Sequence, residues 1–86
     1  MISNGTVSVG TAATLIDTSS ANPFRLWIHN NDNTDAVYHG GEAVTTTSGL
    51  VLAKLERIDF DLNPGERIYA VSTKVGHTIT WISQTS

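Results

Sequence analysis

Every apolar run in this 86-residue chain is short, and each is closed within a few positions by turn formers. An alternating run puts successive side chains on opposite faces of an extended strand, whereas a helix needs apolar residues three and four apart over ten or more positions. Thr6-Val7-Ser8-Val9 alternates up to Gly10, and Thr14-Leu15-Ile16 ends in the polar cluster 17–23. Residues 24–29 alternate strictly and stop at Asn30-Asn31-Asp32-Asn33-Thr34-Asp35. Ala36-Val37-Tyr38-His39 stops at Gly40-Gly41, Val44 opens a Thr-rich stretch that ends at Gly49, and Leu50-Val51-Leu52 follows. Residues 57–62 place Ile58, Phe60 and Leu62 on one face. Asn63-Pro64-Gly65-Glu66 comes next, with Pro64 presetting φ and Gly65 free to take the positive φ of a type II turn. With Ile68-Tyr69-Ala70-Val71-Ser72 returning, residues 57–72 read as a hairpin. Thr78-Ile79-Thr80-Trp81-Ile82 closes the pattern. About eight short strands and no helical period predict an all-β chain, a small antiparallel β-sandwich of jelly-roll type. It forms one domain over residues 1–86, with 1–9 available as an extended N-terminal arm.

A domain of this size has a modest core and usually needs reinforcement from disulfides, a metal or partner chains. The chain contains no cysteine, which removes disulfides and thiolate metal sites and makes homo-oligomerisation the expected reinforcement. Only 15% of its residues are charged, below the roughly 25% usual for globular domains. Ser and Thr, twenty together, fill the polar positions instead. Such a surface suits a protein that lies against other protein. The five cations, Arg25, Lys54, Arg57, Arg67 and Lys74, are scattered, which argues against a nucleic-acid partner. No run approaches the ~18 apolar residues of a membrane span. Residues 1–5 lack the basic and apolar regions of a signal peptide, so the expectation is assembly in the cytoplasm.

Some strands are apolar on both faces. In 24–29, Phe24, Leu26 and Ile28 share one face, with Arg25, Trp27 and His29 on the other. In 68–72, Ile68 and Ala70 oppose Tyr69 and Val71. Either a loop or edge strand of the chain covers the second face, or a partner subunit does. Arg25, Trp27, His29, Tyr38 and Tyr69 are the expected subunit or partner contacts, since amphipathic aromatics carry much of the binding energy at interfaces.

Candidate chemistry meets simpler explanations. His29, His39 and His77 lack His-x-His spacing, although His29 and His39 could meet across a hairpin. Residues 30–35 offer many oxygen ligands but lack the Gly and Glu of a calcium loop, and Asn and Asp also suit a tight turn. Asp59 and Asp61 share a face as paired carboxylates do in acid/base catalysis, and equally as the solvated face of a strand. The expectation is a binding protein rather than an enzyme, with no cofactor and no metal.

Taken together, the strand ending in His29-Asn30-Asn31-Asp32, the segment Val37-Tyr38-His39-Gly40-Gly41-Glu42-Ala43-Val44, the stretch from Thr45 to Gly49, the Leu50/Leu52 pair and Leu62-Asn63-Pro64-Gly65-Glu66 followed by 68–72 resemble small all-β virion proteins of tailed bacteriophages. The capsid decoration proteins are the nearest in pattern. The resemblance spans about residues 24–82 and is one of strands and turns. It implies a cofactor-free structural protein of the virion, a homotrimer that binds the major capsid protein of the assembled head and stabilises it. It also implies that residues 1–9, with Ile2, Val7 and Val9, reach onto the capsid as an arm. A tail or fibre module is the alternative within that class. A carbohydrate-binding module, with Trp27, Tyr38 or Trp81 stacking on sugar rings, is the alternative outside it.

Overall fold

The computed structural model describes residues 2–16, 23–32 and 34–85. Eight strands run in chain order: β1 (Ile2–Val9), β2 (Thr14–Leu15), β3 (Phe24–Asn30), β4 (Val37–Gly40), β5 (Leu50–Leu52), β6 (Arg57–Leu62), β7 (Tyr69–Val71) and β8 (His77–Thr85). They form two four-stranded sheets, ordered β1-β8-β3-β6 and β2-β7-β4-β5, with every pairing antiparallel. Most connections pass from one sheet to the other, giving the interleaved strand order of a jelly roll. The described residues contain no helix.

The core sits between the sheets and follows the period-two pattern. β3 contributes Phe24, Leu26 and Ile28, which pair with Leu62, Phe60 and Ile58 of β6. β8 contributes Ile79, and β1 sends in Val7 and Val9. From the second sheet come Val37, Leu52 and Ala70, with Ile16 just beyond β2. Burying such side chains is the main favourable term, about 1.5–3 kcal/mol for each large one.

Several expectations change. Residues 57–72 are not a hairpin, because β6 joins the first sheet and β7 the second. The Pro64-Gly65 turn forms, with Glu66 N–H donating to the Asn63 carbonyl at 3.1 Å and Gly65 at φ 86°. It is however followed by 66–68 outside any strand, enough chain to cross the ~10 Å between packed sheets. The half-buried apolar face of β6 lies in register with that of β3 and packs against the core, which places β6 in the first sheet. Likewise β3 and β4 belong to different sheets, so His29 and His39 do not meet across a hairpin. The Thr-rich segment after Val44 is turn rather than strand.

Within the segment expected as an arm, 1–9, residues Ile2–Val9 form an edge strand in register with β8, from Ile2 opposite Gln84 to Val9 opposite His77. Met1 lies outside the described residues, as do 17–22. Gly5 sits opposite Trp81, and a Cβ added there would lie 2.9 Å from the indole, so the glycine lets the ring lie on the strand.

Candidate functional site

The outer faces of the two sheets differ. On the second sheet, β4 carries Tyr38 outward, and the segment after it folds back. Val44, 8% exposed, lies against Gly40 and Gly49, and a Cβ on Gly49 would strike both Val44 and Tyr38. A loop of the chain itself therefore covers this face at Tyr38, one of the two explanations open from the sequence. Tyr69, next along on β7, is half-buried.

On the first sheet, register builds the outer face row by row. Ile2, Gln84, Arg25 and Asp61 stand side by side across β1, β8, β3 and β6. Asn4, Ile82, Trp27 and Asp59 form the next row, then Thr6, Thr80, His29 and Arg57. Ile2 is 69% exposed and Ile82 43%. Together with Trp27 they line a shallow open depression whose polar rim is His29, Arg57, Thr80 and Gln84.

Charge concentrates on the β3–β6 side. Arg25 holds Asp61 through Nε–Oδ1 at 2.8 Å, with a second contact from its terminal nitrogen at 3.2 Å, and lies 3.8 Å from Asp59. Its guanidinium carbon is 5.8 Å from the centre of the Trp27 ring, within cation–π range. The Arg25 hydrogen bond pulls the Asp61 carboxyl below its ordinary range, and the reciprocal bond raises Arg25. Both partners are largely exposed, so the pair orients more than it stabilises. At the other end, His29 Nδ1 faces Asn31 Oδ1, an acceptor, at 2.6 Å, and Asn31 Nδ2 donates to Thr80 Oγ1 at 2.6 Å.

Behind the rim lies a buried polar network. Asn30 continues the inward phase of Phe24, Leu26 and Ile28, and is fully buried. Its Nδ2 donates towards the carbonyls of Asp35, Leu52 and Ala53 at 3.0–3.1 Å. Its Oδ1 accepts from Asp32 N–H at 3.0 Å and faces His77 Nε2 at 2.6 Å. Because Asn30 Oδ1 can only accept, the network assigns the His77 proton to Nε2. His77 Nδ1 is then the acceptor for the Ser72 hydroxyl at 3.1 Å, and Ser72 Oγ in turn receives Lys74 N–H. Lys74 Nζ bridges the Asp32 and Asp35 carboxylates. Asp32, which also accepts from Thr34 and the Asp35 amide, is held well below the usual carboxylate range, first by Lys74. Burial pushes the His77 imidazole down.

Ser72, His77 and the nearby Asp32 have the composition of a hydrolytic triad, and Ser72–His77 is within reach of proton transfer. Ser72 is 1% exposed and His77 not at all, so no substrate reaches Oγ; the trio ties loops together. His39 is also buried, edge-on to Phe60 at 5.3 Å with no partner for Nε2, and burial lowers its pKa. Among the described residues no group of three or more His, Cys, Asp or Glu side chains is placed to hold a metal ion. The oxygen-rich loop directs its Asp32 and Asp35 carboxylates at Lys74.

Of the contacts expected from sequence, the structure brings Arg25, Trp27, His29 and Ile2 onto one face. Tyr38 and Tyr69 lie on the opposite sheet, and Val7 and Val9 point into the core. Ile82 joins this face without having been expected there; its sequence signal is that it stands out of phase with Ile79 and Trp81, on the solvent side of its strand. Trp81 packs against the core, leaving Trp27 as the aromatic on the exposed face.

No known family model matches the sequence, and no curated protein does. Among solved structures, the chain is similar to one described under "Bacillus endospore appendages form a novel family of disulfide-linked pili", with a TM-score of 0.58 and 17% identity over 99% of this chain and 88% of the other. At that identity the likeness is one of fold.

Proposed function

We propose that this chain is a structural subunit that acts by docking the outer face of its first sheet onto other protein in a repeating assembly. The observation that carries this is the contrast between the two faces. On the second sheet the chain's own loop covers the face at Tyr38 and leaves Val51 exposed on the edge strand β5, while on the first sheet Ile2 and Ile82 stand exposed beside half-buried Trp27 and line one depression. An apolar strip with a polar, partly charged rim is the anatomy of a protein–protein contact. The fold shared with a pilus subunit supports a structural role. This chain has no cysteine, so a disulfide link of the kind named for that neighbour has no counterpart in its residues. The finer reading is a decoration protein of a tailed-phage head, a homotrimer bound to the major capsid protein; the strand-and-turn resemblance over residues 24–82 supports it. Repetition over a shell would turn weak contacts into net stabilisation, since the subunit binds only the assembled state.

The test is native mass by light scattering across a dilution series, for the wild type and for Ile82→Asp, at a position 43% exposed on the outer face, with circular dichroism checking that the variant is folded. Concentration-dependent association in the wild type, lost in the variant, supports the docking face. A wild type that stays monomeric at high concentration, and does not co-sediment with assembled capsids, refutes it.

A further inference from the structure

We infer that the buried His77–Asn30–Ser72 network is an acid-operated latch, closed while His77 is neutral, whose protonation releases one end of the sandwich. The inference is independent of the docking proposal.

The geometry makes this tie depend on one protonation state. Neutral His77 meets both partners in their correct senses: Nε2–H donates to Asn30 Oδ1, and Nδ1 accepts from Ser72. An imidazolium has two N–H donors. The new Nδ1–H would face Ser72 Oγ, which already receives the Lys74 amide, and the Ser72 proton would lose its acceptor. The charge would also arise at a side chain with no solvent exposure. The titratable and charged groups facing it are Asp32 and Asp35 from the β3–β4 loop and Lys74 from the β7–β8 turn. Asp32 Oδ2 lies 4.0 Å from Nδ1 and attracts a proton there, but it is already engaged by the Lys74 ammonium, which repels one.

What the latch holds is also defined. Asn30 joins the end of β3 to the end of β5 through Leu52 and Ala53, and to the β3–β4 loop through Asp32 and Asp35. Beside it, Asn30 N–H donates to the Glu56 carbonyl and Leu55 N–H to the Asp32 carbonyl. His77 and Ser72 add β8 and the end of β7. Strands of both sheets thus meet at one polar centre, and losing it frees the loop and turn around it while the far end of the β1–β8 pairing stays closed.

The sign follows from linkage. A histidine held below its ordinary value of 6.5 contributes stability that is fully present above pH 6.5 and is lost as pH falls through the folded value. The Asp32 and Asp61 contributions are lost only below their ordinary 3.8, so the two windows are separate.

The test is amide hydrogen exchange on the whole chain from about pH 7.5 to about pH 5, read as protection factors and compared with His77→Gln. The glutamine amide can donate to Asn30 and accept from Ser72 but does not titrate. In the wild type, protection at Asp32, Asp35 and Lys74 falls by up to about tenfold per pH unit below 6.5, while Ile82 and Ser83, at the far end of β8, hold theirs. In His77→Gln the same amides respond little, and His39→Gln retains the wild-type response. An equal response in wild type and His77→Gln, or an equal loss at every amide, overturns the latch. If His77→Gln does not fold, the wild-type ring nitrogen shifts decide. A proton on Nε2 and titration below the ordinary value support the latch; titration at or above that value overturns it.

Discussion

Replacing Asn30 by alanine should be among the most damaging single changes available in this chain. The side chain is fully buried and its amide serves five partners. Truncation leaves two donors without their acceptor, His77 Nε2–H and the Asp32 amide, and three carbonyls without their donor. Each buried donor left unsatisfied costs about 1–3 kcal/mol. His77 is wholly sealed from water and falls at the upper end; Asp32, partly exposed, falls at the lower. The sum is about 4 kcal/mol before any cost for the carbonyls, set against a total stability of about 5–15 kcal/mol, with a small domain near the bottom of that range. Urea unfolding followed by fluorescence reads it directly. With a slope of about 1–2 kcal/mol/M the midpoint drops by 2 M or more, or no folded baseline remains. Asn31→Ala, which removes exposed bonds to His29 and Thr80, is the control and should cost no more than about 1 kcal/mol. A loss below about 1 kcal/mol for Asn30→Ala would refute the reasoning, since it would mean that water replaces the amide at no cost.

Two further changes test the backbone. Gly5→Ala puts a methyl 2.9 Å from the Trp81 ring and should destabilise by about 1–3 kcal/mol through displacement of the indole, read by thermal unfolding together with a shift in tryptophan emission. Leu55 occupies left-handed backbone at φ 55° with its side chain 56% exposed, so Leu55→Gly should stabilise by about 0.5–1 kcal/mol, read as a higher urea midpoint.

The strands and the core were legible in the sequence because both depend on local alternation. Phe24, Leu26 and Ile28 face inward as their spacing requires, and strands arise at nearly every expected run. The same alternation, carried two residues further, would have put Asn30 in the core, and His77 stands in phase with Ile79. Their polarity hid them: a buried amide or imidazole is tolerable only when its partners are in place. Asp32 lies near Asn30 in the chain and Ser72 near His77, but Leu52 and Ala53 lie 22 and 23 positions from Asn30, and Asn30 and His77 lie 47 apart.

Sheet membership was not local either. Residues 63–66 form the turn their residue types call for, yet whether the chain then doubles back or crosses depends on where Ile58, Phe60 and Leu62 find partners, and β3 provides them. The docking face is of the same kind. Arg25, Trp27 and His29 share a side of their strand by period alone, but Ile82 and Ile2 reach them only through the pairing of β8 with β3 and β1. The sequence by itself determined which residues extend, which turn and which side each presents, because backbone sterics and period two act between near neighbours. The tertiary structure alone decided which strands sit side by side, which apolar face keeps its cover and which polar groups close a network, because each of these follows from contacts between residues tens of positions apart.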